Sequence, residues 1–445
     1  MNKKIVVVGF MLFAIFFGAG NLIFPPKLGF ISGEFFWPAI IGFIVTGVGI
    51  PLITIIAGAF DEGGYKAALK NVHPVFGVIF LIAIYLTIGP LFAIPRTGAT
   101  SYEMALVPFI GGPSKLSLFL FTLVYFGISL WLAINPSKMV DRVGAILTPV
   151  LLVSVVLLVI RGIFIFSGNA STPTDTETFT SGTGSFFTGF TEGYLTMDAI
   201  AAIAFSVIVL NAVKDKGFTK ETGLLKPTML AALIAAGALG FIYLTLGWMG
   251  NHYPLSGEQL AFIDKNGLDI RTYLLTHMAN DAFGGFGKVL IGVIVTLACL
   301  TTSIGLIVAV SEYFYEIFPK ISYKVYVVIF TLFSLLLANQ GLQQVIATSV
   351  PVLMVLYPIG MTLVLLVILS KFIPTPRLSY QIAMAFVTII AVLSVLSSKD
   401  VGLLQFPLMN HLPLKAQSME WLLFALAGYV LGLIFGAKQP KIKFN

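Results

Sequence analysis

Long apolar stretches, separated by short polar ones, run through almost the whole chain. A helix needs about 20 apolar residues to cross the hydrocarbon of a bilayer. On that measure the pattern predicts about twelve spans, at 5–26, 36–60, 74–98, 115–135, 142–166, 190–213, 226–250, 286–317, 323–339, 343–370, 378–396 and 419–437. The third is expected to kink or end early around Gly89, Pro90 and Pro95, because glycine loosens a helix and proline removes a backbone donor. The eighth is long enough to tilt or to run beyond the membrane. Ser167 to Ser185, rich in Ser, Thr and Gly, and Asn251 to Phe286 read as polar loops, the second with short helices of its own. Lys3 and Lys4 before the run from Ile5 to Phe17 resemble a signal peptide. So many spans follow, with no secreted domain, that the stretch reads as the first membrane helix.

Composition agrees. Apolar residues are 58% of 445 and charged residues only 10%, against roughly 25% in a soluble domain. Such a chain faces lipid, and the fold class is an all-α membrane protein. The net charge of +7 is scattered over short loops, not gathered into the patch that nucleic acid requires. It reports topology instead. With the N-terminus inside, 17 of the 26 basic residues, among them Lys66, Lys138, Arg142, Lys220, Lys371 and Lys443, fall on the cytoplasmic side. Nine, among them Lys27, Lys115 and Lys399, fall on the other. That bias favours a multi-pass protein of the cell's inner (plasma) membrane with both termini cytoplasmic. Cys299 is the only cysteine, so no internal disulfide forms. No phosphate-binding G-x-x-x-x-G-K-[ST] loop occurs, which argues against an ATP-binding domain on this chain. His73, His252, His277 and His411 lack metal-ligand spacing. Without a nucleophile–base pair, a metal cluster or a repeated filter loop, neither an enzyme nor an ion channel is favoured, and no cofactor is expected.

Three segments break the apolar monotony. Phe16-Phe17-Gly18-Ala19-Gly20-Asn21-Leu22-Ile23-Phe24-Pro25-Pro26 gathers glycines, an Asn and two prolines in or beside the first span. Irregular backbone at membrane depth survives only inside protein or around a cavity. A broken helix there offers a half-helix N-terminus to an anion and free carbonyls to a cation; close helix packing through small residues is the other reading. Around the sixth span, Tyr194-Leu195-Thr196-Met197-Asp198-Ala199 carries an acid at membrane depth, costing roughly 2.5–3.5 kcal/mol unless it faces a cavity or partner. The first and sixth spans lie five apart and so run in opposite directions, the signature of an inverted five-helix repeat with its site between the two breaks. The third segment, Ala298-Cys299-Leu300-Thr301-Thr302-Ser303, holds adjacent threonines. Their hydroxyls either bond their own helix or join an oxygen shell around a hard cation.

Together these segments resemble the leucine-transporter fold of sodium-coupled amino-acid symporters: Gly18, Gly20, Asn21, Phe24 and Pro25 match its first-helix break, and Ala298, Thr301 and Thr302 its eighth-helix stretch. FFGAGNLIFPP and GYLTMDAIAAIAFS, with the length of the chain, look closer still to bacterial branched-chain amino acid:cation symporters. The resemblance implies two five-helix repeats (1–166 and 190–370) with broken helices 1 and 6, then two further helices (378–437). It implies import of leucine, isoleucine and valine with Na⁺, or alternatively H⁺, by alternating access. It places the substrate at Phe16, Ala19, Gly20, Thr196 and Asp198. It places coupling cations at Ala14, Phe17, Asn21, Ala298, Thr301 and Thr302, with Asn21 serving a first cation and the others a second. Asp198 departs from the wider fold, which has a small polar residue there; the acid would pair with the substrate ammonium, carry a proton, or join a cation shell. Ile203 and Phe205 are candidates for the aliphatic pocket. Arg96 reads either as a gate or as a snorkelling anchor, and Tyr85 as a possible carboxylate contact.

Overall fold

The computed structural model describes residues 3–60, 64–134, 139–218, 223–398, 409 and 411–442, with the side chains of 139–151, 207 and 208 left aside. Lys138, Lys220, Lys399 and Lys443, used above for topology, lie outside the described residues, as does the Arg142 side chain.

Helix occupies each expected span, and the first, third and sixth are interrupted among the described residues. The first is split into α1 (Lys3–Phe16) and α2 (Ala19–Ser32). Pro25 and Pro26 sit inside α2 and not in the break, and the helix runs on to Ser32. Next come α3 (Phe36–Ile44) and α4 (Ile50–Gly58), joined by a π turn at Val45–Gly49. The run from Ala19 to Gly58 is 40 residues, about 60 Å of helix and twice a bilayer core. It is interrupted at Gly33, whose φ of +49° suits a residue without a side chain.

A short amphipathic helix, α5 (Gly64–Val72), buries Tyr65, Ala68, Leu69 and Val72. The third span kinks where expected. Between α6 (Pro74–Leu86) and α7 (Ala93–Ala105) lies a π turn at Thr87–Leu91 in which Gly89 leaves helical geometry. Then follow α8 (Val107–Ile110), α9 (Lys115–Ile134) and α10 (Met139–Phe166).

The sixth span corrects the sequence reading. Its first half, α11 (Gly182–Glu192), overlaps the end of the segment read as a polar loop. A 3₁₀ turn at Gly193–Thr196 and the single residue Met197 then lead into α12 (Asp198–Asp215). After α13 (Leu225–Asn251), the outer segment carries α14 (Gly257–Lys265) and α15 (Ile270–Phe283). The chain continues through α16 (Gly285–Ile317), α17 (Tyr323–Ala338), α18 (Leu342–Phe372), α19 (Arg377–Leu396) and α20 (Glu420–Phe435). Thr375–Pro376 and Lys441–Ile442 form a two-residue antiparallel pairing.

Seven helical runs among the described residues are long and apolar enough to cross a membrane, and three shorter apolar helices accompany them. Packing pairs the broken spans with their neighbours in a matched way. Both halves of the first span, α1 and α2, pack on α13; both halves of the sixth, α11 and α12, pack on the helix formed by α3 and α4. In the second pairing the backbones touch: a β-carbon on Gly42 would strike the Phe186 carbonyl, and one on Gly189 the Ala39 carbonyl. Small residues at such crossings let membrane helices approach closely. Between these pairs, α7 packs along α16, and α20 lies on α19 at the end of the chain.

Candidate functional site

The two breaks are built differently. In the first, α1 closes with the Phe17 amide on the Phe13 carbonyl at 2.8 Å. Gly18 is then extended (φ −117°, ψ −168°) and α2 begins. Asn21, in the first turn of α2, turns its Oδ1 back to accept the Gly18 N–H at 2.9 Å, the returning half of a capping box. Gly18 has no side chain to cap the next amides. The N–H groups of Ala19 and Gly20 are therefore first-turn donors without helical acceptors, at the positive end of a helix.

The second break ends a half-helix and leaves carbonyls behind. Met197 holds a left-handed φ of +66°, which costs a non-glycine residue about 1–3 kcal/mol and concentrates at functional sites. The Thr196 hydroxyl donates to the Gly193 carbonyl at 2.9 Å and accepts the Asp198 amide at 3.4 Å. The Leu195 and Thr196 carbonyls receive Nη1 and Nη2 of Arg96, at 2.5 and 3.4 Å.

Side chains join the two breaks. Asn21 Nδ2 donates to Asp198 Oδ2 at 2.6 Å, the Tyr243 hydroxyl donates to the same oxygen at 3.1 Å, and Asn21 Nδ2 also reaches the Tyr243 hydroxyl. Asp198 is only 4% exposed. The acid at membrane depth thus faces partners from the first span and from α13, as its cost requires.

Ile15, Phe16, Ala19, Asn21, Ile88, Arg96, Thr196, Asp198, Ala201, Phe205, Thr302 and Leu306 are among the residues that line one cavity at this junction. Of the expected substrate residues, Phe16, Ala19, Thr196 and Asp198 line it, and Gly20 lies against Arg96. Of the expected cation residues, Asn21 and Thr302 line it. Thr302 also borders the first break, its hydroxyl 3.7 Å from where a β-carbon on Gly18 would sit. Thr301 donates to the Ala298 carbonyl at 2.8 Å. Ala14, Phe17 and Ala298 do not line the cavity; Phe17 flanks the break, and Ala298 is buried within α16.

Several weaker expectations change. Arg96 is no snorkelling anchor: it is 6% exposed and braces the second break. Its guanidinium also lies over the Phe24 ring at 5.4 Å, as that of Arg271 does at 5.5 Å. Tyr85 stacks on Tyr313 at 4.0 Å and donates to the Ala204 carbonyl, so its hydroxyl is occupied. Phe205 lines the cavity, whereas Ile203 packs toward Gly360. Tyr243 escaped the sequence reading; the signal was a lone tyrosine amid the apolar residues of the seventh span, the one that packs on both halves of the first. A larger cavity lies elsewhere, lined among others by Glu103, Asp269, Thr272, His277 and Lys288, with neither the first nor the sixth span among its lining residues.

Comparisons with known proteins agree with this geometry. Residues 1–439 match the family model described as branched-chain amino acid transport protein. A relative from Staphylococcus aureus (strain USA300), named as a branched-chain amino acid carrier protein, is 53% identical over 447 aligned residues, covering 100% of both chains. Among solved structures, MhsT in complex with L-phenylalanine matches with a TM-score of 0.56 at 15% identity, over 96% of this chain and 98% of that one. Inward-facing Mhp1 matches at 0.58 and 13%, over 98% and 91%. A substrate-bound, outward-open Na⁺-coupled sialic acid symporter matches at 0.59 and 14%, over 99% and 91%. At such identities the likeness shows a shared fold, that of the leucine-transporter type.

Proposed function

The chain belongs to the branched-chain amino acid transport protein family, and on that premise we propose that it imports leucine, isoleucine and valine with Na⁺ by alternating access. One observation carries the reading: two interrupted helices meet at a cavity that offers an acid, a half-helix N-terminus and an apolar wall together. An α-amino acid needs all three.

The substrate carboxylate sits on the Ala19 and Gly20 amides. Its ammonium lies between Asp198 and the oxygens of Phe16 and Thr196, and its side chain lies against Ile15, Ile88, Phe205 and Leu306. Na⁺ takes the carbonyls of Ala14, Phe17 and Ala298 with the hydroxyls of Thr301 and Thr302, a shell of neutral oxygens suited to a hard cation. The matched packing of α1 and α2 on α13, and of α11 and α12 on α3 and α4, supports an inverted repeat over 1–166 and 190–370, followed by two helices in 378–437. Rocking one repeat against the other then opens the site to each side in turn. The scheme puts the protein in the plasma membrane with both termini cytoplasmic.

H⁺ coupling is the second reading, and the buried Asp198 carboxyl is what favours it. Uptake of labelled leucine into proteoliposomes, with Na⁺ and H⁺ gradients imposed separately, tests both. Saturable accumulation driven by Na⁺ alone is expected. Accumulation that follows only the proton gradient would replace Na⁺ with H⁺. Non-saturating flux would refute carriage.

A further inference from the structure

Arg96 is a full positive charge inside the site that the reading above does not use. It reaches the junction from α7, in the third span, outside both the first and the sixth. Its guanidinium bonds the Leu195 and Thr196 carbonyls through one N–H on each terminal nitrogen. Those are the carbonyls that the second break leaves outside regular helix, the group a dissociable first cation would seek. The Asn21 side chain, the other expected ligand of that cation, is already bonded to Gly18, Asp198 and Tyr243.

Arginine has five N–H donors in a planar fork, so the two carbonyl bonds leave donors over, and Arg96 lines the cavity. It also lies beside the start of α2: a β-carbon on Gly20 would come within 2.9 Å of Arg96 Nη2. The unpaired amides of that helix start and a guanidinium therefore converge on one corner of the cavity, with the Asp198 carboxyl on its wall. A fork of donors matches a carboxylate bidentately with two directed hydrogen bonds, which the point charge of a lysine does not.

We propose that Arg96 is a fixed cation which receives the substrate carboxylate and occupies the place of a first coupling ion, so that one dissociable cation moves with each amino acid. The proposal rests on the transport reading above and refines it. The site then presents one fixed positive and one fixed negative charge to a zwitterion, and the only mobile charge is at the Thr301 and Thr302 end.

The test joins two measurements. In wild-type proteoliposomes, the ratio of charge moved to labelled leucine taken up is expected to be one. A ratio of two overturns this proposal alone; absence of any leucine-driven current overturns the transport reading and this proposal with it. Binding to purified Arg96→Gln and Arg96→Lys is then compared for leucine and for 3-methylbutylamine, which keeps the side chain and ammonium but lacks the carboxylate. Arg96→Gln is expected to weaken leucine about 10- to 100-fold while leaving the amine as in wild type, and Arg96→Lys to recover part of the loss. An equal loss for both ligands would make Arg96 a brace for the broken helix and overturn the proposal. The charge ratio needs no variant, so a value of two overturns the proposal even if Arg96→Gln does not fold.

Discussion

The two helix breaks solve the same problem from opposite ends. The first is capped from within its own chain segment: Asn21 folds back on Gly18, three residues away, and the amides of Ala19 and Gly20 are left without helical acceptors. The second is braced from outside: Arg96, about a hundred residues distant in sequence, holds the Leu195 and Thr196 carbonyls. A self-capped break exposes donors and waits for an anion. A cross-braced break has its carbonyls filled and its geometry fixed, down to a left-handed Met197. The pair is therefore asymmetric in charge as well as in shape, which is what a substrate with two unlike ends requires.

Asp198, where the breaks meet, is the place to disrupt the comparison most. Asp198→Asn nearly keeps shape and removes the charge. A charged hydrogen bond contributes about 1.5–3 kcal/mol, so leucine affinity is expected to fall about 10- to 150-fold at every pH and Na⁺ concentration. A mutant that binds and exchanges leucine but loses pH-driven accumulation would make the acid a proton carrier. Recovery of binding at high Na⁺ would place it in a cation shell.

The two glycines of the first break sharpen the contrast. A β-carbon on Gly20 meets Arg96 Nη2 at 2.9 Å and the Phe24 ring at 3.0 Å, whereas on Gly18 its nearest contacts are ordinary ones at 3.7 Å. Gly18 has a negative φ that alanine accepts. Overpacking costs about 1–3 kcal/mol, so Gly20→Ala is expected to weaken leucine binding about 10-fold, and Gly18→Ala less than about 2-fold. Similar losses for both would mean that the break itself, and not its contact with Arg96, limits binding.

At the cation end, replacing both Thr301 and Thr302 with Val removes two oxygens while keeping volume. The Na⁺ concentration for half-maximal uptake is expected to rise about 5-fold, the loss of about one net hydrogen bond's worth of interaction. Unchanged Na⁺ activation would leave both hydroxyls to the helix, as the bond from Thr301 to Ala298 already does for one of them. A small effect is also expected of Tyr243→Phe. It deletes one of two side-chain donors to Asp198 Oδ2, and leucine affinity is expected to fall about 2- to 5-fold. A loss as large as that of Asp198→Asn would make the tyrosine a direct ligand.

Much of the fold was legible because lipid imposes a simple pattern. The expected spans fall on helix, and the first break was marked by Gly18 and Gly20. The hidden parts answer to protein and not to lipid. Helix α11 reads GTGSFFTGFTE, too polar to look membrane-embedded, yet its backbone lies in direct contact with α3 through small residues. The prolines misled for a related reason. Pro25 and Pro26 look like breakers, but their carbonyl edge packs against Gly247 and Gly250 of α13, and a helix with neighbours tolerates proline in a membrane. In the site, Asp198 and Asn21 declared themselves by being polar at membrane depth. Arg96 and Tyr243 did not, since an arginine near a helix end and a tyrosine in an apolar helix have common, ordinary explanations; only the third dimension brings them to the breaks.

The π turn at Val45–Gly49 has a mechanical meaning. A wide turn carries one residue more than an α turn, so it is a dislocation held in an otherwise regular lattice. Here it is pinned: the Thr46 hydroxyl donates to the Phe190 carbonyl at 2.7 Å, on the half-helix just before the second break. Were that pin released and the defect to glide out of the helix, every residue beyond it would turn by about 100° and advance by about 1.5 Å. The helix on which the sixth span rests thus holds a one-residue screw motion whose latch is a carbonyl of that same span.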